Sequence, residues 1–351
     1  MGKKAVKIQA RTWLFPLAAV YAVLIVALSV LGLFALIPVP VGLQTPLGHG
    51  HELLFGLVFL VVSGYLLGPI VKTRLLVFIC AWLLARLSFM FWPFSLPAML
   101  FAAIGGVLLS YWVAPRFWRA KKWRNQSMAP MVVLFSVVMV AAGYDGLLLH
   151  SFLCHGLLVI AGLMFFVGGR VIAPTLASFW LQQNKRMPNR VQPNVEAAGL
   201  ISLGLAFVLQ VLGAPSMLQS AATLVAGTVV ALRIVRWRPW VYWRRLDIVW
   251  LFFGYSSLAI ALLLLAAGQY TSLAQRVATH TLTVSAMGVL MVSVMARVTV
   301  VRRFKDANAL RSSHVAAGLL VLGALLRIFA PVVPGFYLPL LYSATLCWSL
   351  G

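Results

Sequence analysis

The sequence predicts an all-α fold: a polytopic transmembrane helix bundle of about twelve spans. Three observations predict it. Hydrophobic residue types make up 63% of the 351 residues and charged types only 9%. Soluble domains carry about 25% charged residues, and so few polar groups cannot wrap this much apolar surface. Mean hydropathy is +1.01. Lysine and arginine outnumber aspartate and glutamate 28 to 5, and they cluster between long apolar runs. A cytosolic enzyme and a disordered chain are excluded. The expectation is a single integral membrane domain over residues 1–351.

A spanning helix needs about 20 apolar residues. The runs place spans over 13–37, 50–71, 75–92, 95–114, 129–146, 149–169, 197–213, 216–235, 246–268, 275–300, 313–330 and 335–350. Each is helical, because lipid offers the backbone no other hydrogen-bond partner. The opening Met1-Gly2-Lys3-Lys4 precedes an apolar stretch too long for a signal-peptide core, so it reads as a retained first span.

Charge then assigns sides. With the N-terminus in the cytoplasm and strict alternation, the cytoplasmic segments hold 23 of the 28 basic residues. They are Lys3, Lys4, Lys7 and Arg11; Lys72 and Arg74; Arg116, Arg119, Lys121, Lys122 and Arg124; Lys185, Arg186 and Arg190; Arg233, Arg236, Arg238, Arg244 and Arg245; and Arg302, Arg303, Lys305 and Arg311. The opposite loops hold none. Basic residues mark cytoplasmic loops, so both termini are expected inside. In a soluble chain this charge would suggest nucleic acid. Here it points to the lipid bilayer and to no nucleic-acid partner.

Five arginines fall within or at the ends of spans. Arg170 and Arg297 lie at inner ends and read as snorkelling to the interface. Arg86, Arg276 and Arg327 lie toward the outer side. An arginine in the membrane needs a partner or a wet cavity, so these three could face a polar site and neutralise an anionic cofactor group.

Five of the six histidines fall near one depth on the outer side. His49 and His51 open the second span, His150 and His155 the sixth, and His280 the tenth. His314 follows Ser312-Ser313, which reads as a helix cap. Neutral imidazole is the commonest protein ligand for transition metals and haem iron. One histidine alone is more often structural; five in one layer suggest a cofactor site. Glu52 stands beside His51 in what reads as the first helical turn, where it could hold an imidazole in one tautomer or bind metal itself. Asp145 also lies near the outer face. His150 and Cys154, four residues apart, share a helix face, whereas His150 and His155 are about 140° apart. Met287, Met291 and Met295 form a stripe that would suit Cu(I), although such stripes are more often packing.

Three cysteines, Cys80, Cys154 and Cys347, form no C-x-x-C pair. There is no phosphate-binding loop, no C-x-x-C-H and no H-E-x-x-H. Two further readings stand beside the cofactor protein. A twelve-span secondary transporter for a metal ion or small molecule would use the His and Met residues as a path, but the histidines stay on one side. A haem–copper oxidase-like reductase would need about six clustered histidines and visible proton-channel acids.

The motifs resemble those of the NnrS family. Gly48-His49-Gly50-His51-Glu52-Leu53-Leu54-Phe55-Gly56 is similar to its W-H-A-H-E-M-L-F-G. His280-Thr281-Leu282-Thr283-Val284-Ser285-Ala286-Met287-Gly288, followed by Arg297-Val298, is similar to its H-A-L-T-V-G-A-I-G stretch. Gly168-Gly169-Arg170-Val171-Ile172 and Trp82-Leu83-Leu84-Ala85-Arg86-Leu87 resemble two more of its motifs. The resemblance covers about residues 12–350. It implies a twelve-span protein of the bacterial inner (plasma) membrane that contains haem and copper. It also implies a role in nitric oxide metabolism or nitrosative-stress tolerance, with nitric oxide as a small gaseous ligand. His49, His51, Glu52, His280 and Arg86 fall on motif residues. The full candidate cofactor set is His49, His51, Glu52, His155, His280 and Arg86, with His49, His51, His280 and His150 as metal ligands.

Overall fold

The computed structural model describes residues 6–268, 271–304 and 310–351, apart from the side chains of Arg302 and Arg303. Of the basic residues above, Lys3, Lys4 and Lys305 lie outside the described residues, as do Met1-Gly2 and those two arginine side chains.

Twelve apolar helices follow one another. They are α1 Arg11–Leu33, α2 Pro46–Leu66, α3 Lys72–Phe91, α4 Leu96–Trp118, α5 Trp123–Ala141, α6 Leu149–Gln182, α7 Pro193–Val211, α8 Ser216–Trp237, α9 Leu246–Gly268, α10 Ser272–Val301, α11 Arg311–Val332 and α12 Tyr337–Leu350. Among the described residues, eleven are long and apolar enough to cross a membrane. The segment expected as a twelfth span is the 14-residue helix α12, shorter than the eleven others. At 34 residues, α6 exceeds its expected 149–169 and runs through Pro174 to Gln182. At about 1.5 Å per residue its length far exceeds a 30 Å hydrocarbon core.

The chain packs as two compact units, divided inside α6 at Leu157 and Leu158. In the first, phenylalanine rings fill the space between helices. Phe59 stacks on Phe78 at 5.3 Å and lies 6.4 Å from Phe135, which sits 6.1 Å from Phe55. Apolar burial gives little drive between helices surrounded by lipid, so such close packing holds them together. A short antiparallel pair, β1 Lys7–Gln9 with β2 Pro69–Val71, ties the start of α1 to the turn after α2 in the register Lys7↔Val71. Gly68 makes that turn in the left-handed region at φ +63. In the second unit, Leu158, Ala206 and Ala222 form a core cluster, and Ser285 donates to Ser257 at 2.7 Å inside the packing of α9 and α10.

Four sequence expectations change. Helix α2 begins at Pro46, where Thr45 accepts from the Gly48 N–H at 3.1 Å, so Glu52 lies nearly two turns into the helix rather than in its first turn. Helix α11 starts at Arg311 with no side-chain cap, so Ser312-Ser313 is not the cap expected. Arg297 does not snorkel free: its Nη1 donates to Asp247 Oδ2 at 2.7 Å. Arg233 is no loop residue: it lies inside α8 and is only 2% exposed.

Candidate functional site

The second helix carries the strongest sequence motif, and its backbone departs from α-geometry there. Residues Glu52–Leu57 form a π-helical stretch directly after His51. A second one, Thr281–Gly288, directly follows His280 in α10. Such stretches are rare and often mark functional sites, because the widened turn frees a carbonyl and re-aims side chains. In α2 the Gly56 carbonyl accepts from Trp82 Nε1 at 3.1 Å. A Cβ at Gly56 would stand 2.8 Å from the Tyr21 ring and 3.1 Å from Arg86 Cδ. Glycine at this position lets α1 and α3 close on α2.

That approach assembles one buried cluster around Glu52, which is 0% exposed. Tyr21 from α1 donates its phenol O–H to Glu52 Oε2. His51 Nδ1 and Arg86 Nη1 both meet Glu52 Oε1 at 3.1 Å. A carboxylate only accepts, so the His51 proton sits on Nδ1. In the neutral ring Nε2 keeps its lone pair, and it makes no hydrogen bond among the described residues. Phe89 stacks on the imidazole at 3.6 Å and Phe55 meets it edge-on at 5.4 Å. Tyr21 is fixed by the Trp82 ring at 4.9 Å. The Arg86 charge compensates Glu52, as a buried carboxylate requires. Arg86 Nε is buried with no hydrogen-bond partner.

Three of the expected site residues, His51, Glu52 and Arg86, are thus in direct contact. His49 is half-buried two residues earlier on α2, about 200° around the helix from His51. On α6, His150 is exposed and its Nε2 lies 3.8 Å from Cys154 Sγ, as their shared face requires. His155 meets Phe152 edge-on at 6.0 Å. His280 belongs to the second unit, where its Nδ1 donates to the Arg276 carbonyl at 2.8 Å. Arg276 is exposed, and Met287 is buried core. Among the described residues, no group of three or more His, Cys, Asp or Glu is placed to hold a metal ion.

Sequence reasoning missed Tyr21 and a whole cluster in the second unit. A lone tyrosine in an apolar span is a usable signal, since its hydroxyl needs a buried partner. The missed cluster centres on Arg233. Its Nη1 donates to the Phe165 carbonyl at 2.8 Å and to the Tyr255 hydroxyl at 3.1 Å, and its Nη2 to Glu196 at 2.9 Å. The guanidinium lies 4.5 Å from the Phe165 ring and 4.7 Å from Trp237. Gly168 and Gly169, part of the third motif, let Tyr255 and Arg233 reach the backbone of α6; a Cβ at either would collide with them. Arg233→Ala removes the donors to the Phe165 carbonyl, the Tyr255 hydroxyl and Glu196 and is expected to destabilise by about 3–5 kcal/mol, read as earlier thermal unfolding in detergent. Arg233→Lys should recover little, since an ammonium cannot fill a planar slot between two rings. An unchanged unfolding temperature for the alanine variant would contradict this account.

Comparison with known proteins places this architecture. No curated protein matches the chain. The family model described as NnrS protein matches residues 12–351, which includes every motif residue just placed. The chain, a helical bundle with eleven candidate membrane spans, therefore belongs to the NnrS family.

Proposed function

We propose that the chain is a haem- and copper-binding protein of the bacterial inner membrane, acting in nitric oxide metabolism or nitrosative-stress tolerance. One observation carries this reading. His51 is buried, its Nδ1 is held by Glu52, and its Nε2 lone pair is uncommitted among the described residues. Carboxylate-held imidazoles are the usual form of a metal-ligating histidine, because the hydrogen bond fixes the tautomer and strengthens the donor. The donor set fits haem, whose iron the protein would hold through one or two imidazole nitrogens. When bound, haem supplies an iron centre for a small neutral gas such as nitric oxide.

The chain's own residues have separate roles in this reading. His51 offers Nε2. Glu52 orients the ring, Arg86 balances the Glu52 charge, and Tyr21 fixes the other carboxylate oxygen. Phe89 and Phe55 shield the imidazole from water. His49 and His155, in the same unit, are further candidate ligands, and His280 is a candidate ligand within the second unit. For copper, His150 and Cys154 offer one nitrogen and one sulfur 3.8 Å apart. A thiolate with an imidazole selects Cu(I) over harder ions. In this reading the end of α2 that carries His51 faces the periplasm, because the basic segments mark the cytoplasmic side.

The test is an optical spectrum of detergent-purified protein, oxidised and dithionite-reduced, with metal analysis of the same sample. A Soret band with stoichiometric iron, shifted by added nitric oxide, is the expected result. A colourless, metal-free protein from cells supplied with excess haem and copper would overturn the reading.

A further inference from the structure

At one end of the second unit, the segment 183–192 between α6 and α7 meets the segment 236–245 between α8 and α9. The Tyr242 ring packs 5.6 Å from Phe179 and 6.4 Å from Trp180, and Arg236 Nη2 donates to Asn189 Oδ1 at 3.1 Å. Six cations are exposed on the joined surface: Lys185, Arg186, Arg190, Arg236, Arg238 and Arg244. Neither segment contains an acidic residue. The two flanking acids are committed inward, Glu196 to Arg233, and Asp247 to Arg245 and Arg297. None of the six cations forms an ion pair among the described residues.

Interleaved with these charges are exposed apolar rings. Trp240 is 47% exposed and Trp243 66%, and the Arg244 guanidinium lies 5.3 Å from the Trp243 ring. Tryptophans at the ends of spans sit at headgroup depth. At that depth the neighbouring arginines would lie at the level of lipid phosphates. Six uncompensated cations so close together repel one another, and anionic headgroups relieve that repulsion.

We propose that this surface is a binding site for anionic phospholipid, with the headgroup phosphate held by Arg236, Arg238 and Arg244 and the chains lying against Trp240 and Trp243. It differs from a cation cluster that only directs topology during insertion, which would show no lipid preference in the folded protein. Basic clusters beside spans bind acidic lipids, each cation near the surface contributing about fivefold.

The experiment is native mass spectrometry of the full chain in detergent, titrated with phosphatidylglycerol or with phosphatidylcholine. Wild type should retain phosphatidylglycerol at concentrations where phosphatidylcholine is lost, and less of it as salt rises. The R236Q/R238Q/R244Q variant should lose most of that retention, about fivefold per cation removed. The Arg238 side chain is exposed and makes no hydrogen bond or ion pair among the described residues, so the single variant Arg238→Glu is expected to keep the fold and still weaken retention. Equal retention of the two lipids, or unchanged phosphatidylglycerol binding in both variants, would overturn the proposal. So would displacement of the lipid by millimolar inorganic phosphate, or tight RNA binding without lipid preference.

Discussion

Replacing His51 with alanine is expected to abolish the Soret absorbance of the purified protein while leaving it inserted and helical. The imidazole is the ring whose Nδ1 is pinned by a buried carboxylate, and alanine leaves no donor at its place. It also leaves a ring-sized space against Phe89, which stacks on it at 3.6 Å. Free imidazole can enter that space, so adding it should restore part of the absorbance. His280→Ala is the companion measurement. Its histidine lies in the second unit and donates to the Arg276 carbonyl. Loss or alteration of the Soret band in that variant makes His280 a cofactor residue in its own unit. Wild-type spectra from both variants would remove His51 and His280 from the cofactor site and sink the assignment.

Arg86→Gln should be among the most destabilising single changes in the first unit, by about 3–5 kcal/mol. Arg86 and Glu52 are 2% and 0% exposed, so the arginine cannot be exchanged for water when it is removed. The carboxylate would remain buried with only the Tyr21 and His51 donors, both neutral. Thermal unfolding in detergent reads the loss. The double variant Glu52→Gln with Arg86→Gln should be more stable than Arg86→Gln alone, since the stranded charge is gone. If the double variant loses as much as the two single losses added together, the pair is not energetically coupled and the charge argument fails.

The fold was legible because its rule is coarse. Any run of about 20 apolar residues must become a helix in lipid. The expected spans 216–235 and 246–268 accordingly correspond to α8 Ser216–Trp237 and α9 Leu246–Gly268. Boundaries failed where hydropathy is low. Thr45-Pro46-Leu47-Gly48-His49 does not look apolar, although Thr45 caps the helix there, so Glu52 was expected in the first helical turn. Arg233 was misplaced because it lies four residues from the end of α8, where a snorkelling and a buried arginine share the same pattern.

The candidate site was legible only in part. His51, Glu52 and Arg86 stood in motifs, but nothing local pairs Arg86 with Glu52, 34 residues away, or Tyr21 with Glu52, 31 residues away. The Arg233 cluster joins Phe165, Glu196, Arg233 and Tyr255 from four helices.

From the sequence alone came the all-α membrane class, the sequence positions of the spans and the segregation of basic residues into alternate loops. Each follows from composition and from the inability of lipid to hydrogen-bond a backbone. Only the tertiary structure decided which polar groups meet. A buried charge must find its partner wherever the packing brings one, and here that depended on a π-turn at Glu52–Leu57 and a missing Cβ at Gly56, which draw three helices onto one carboxylate.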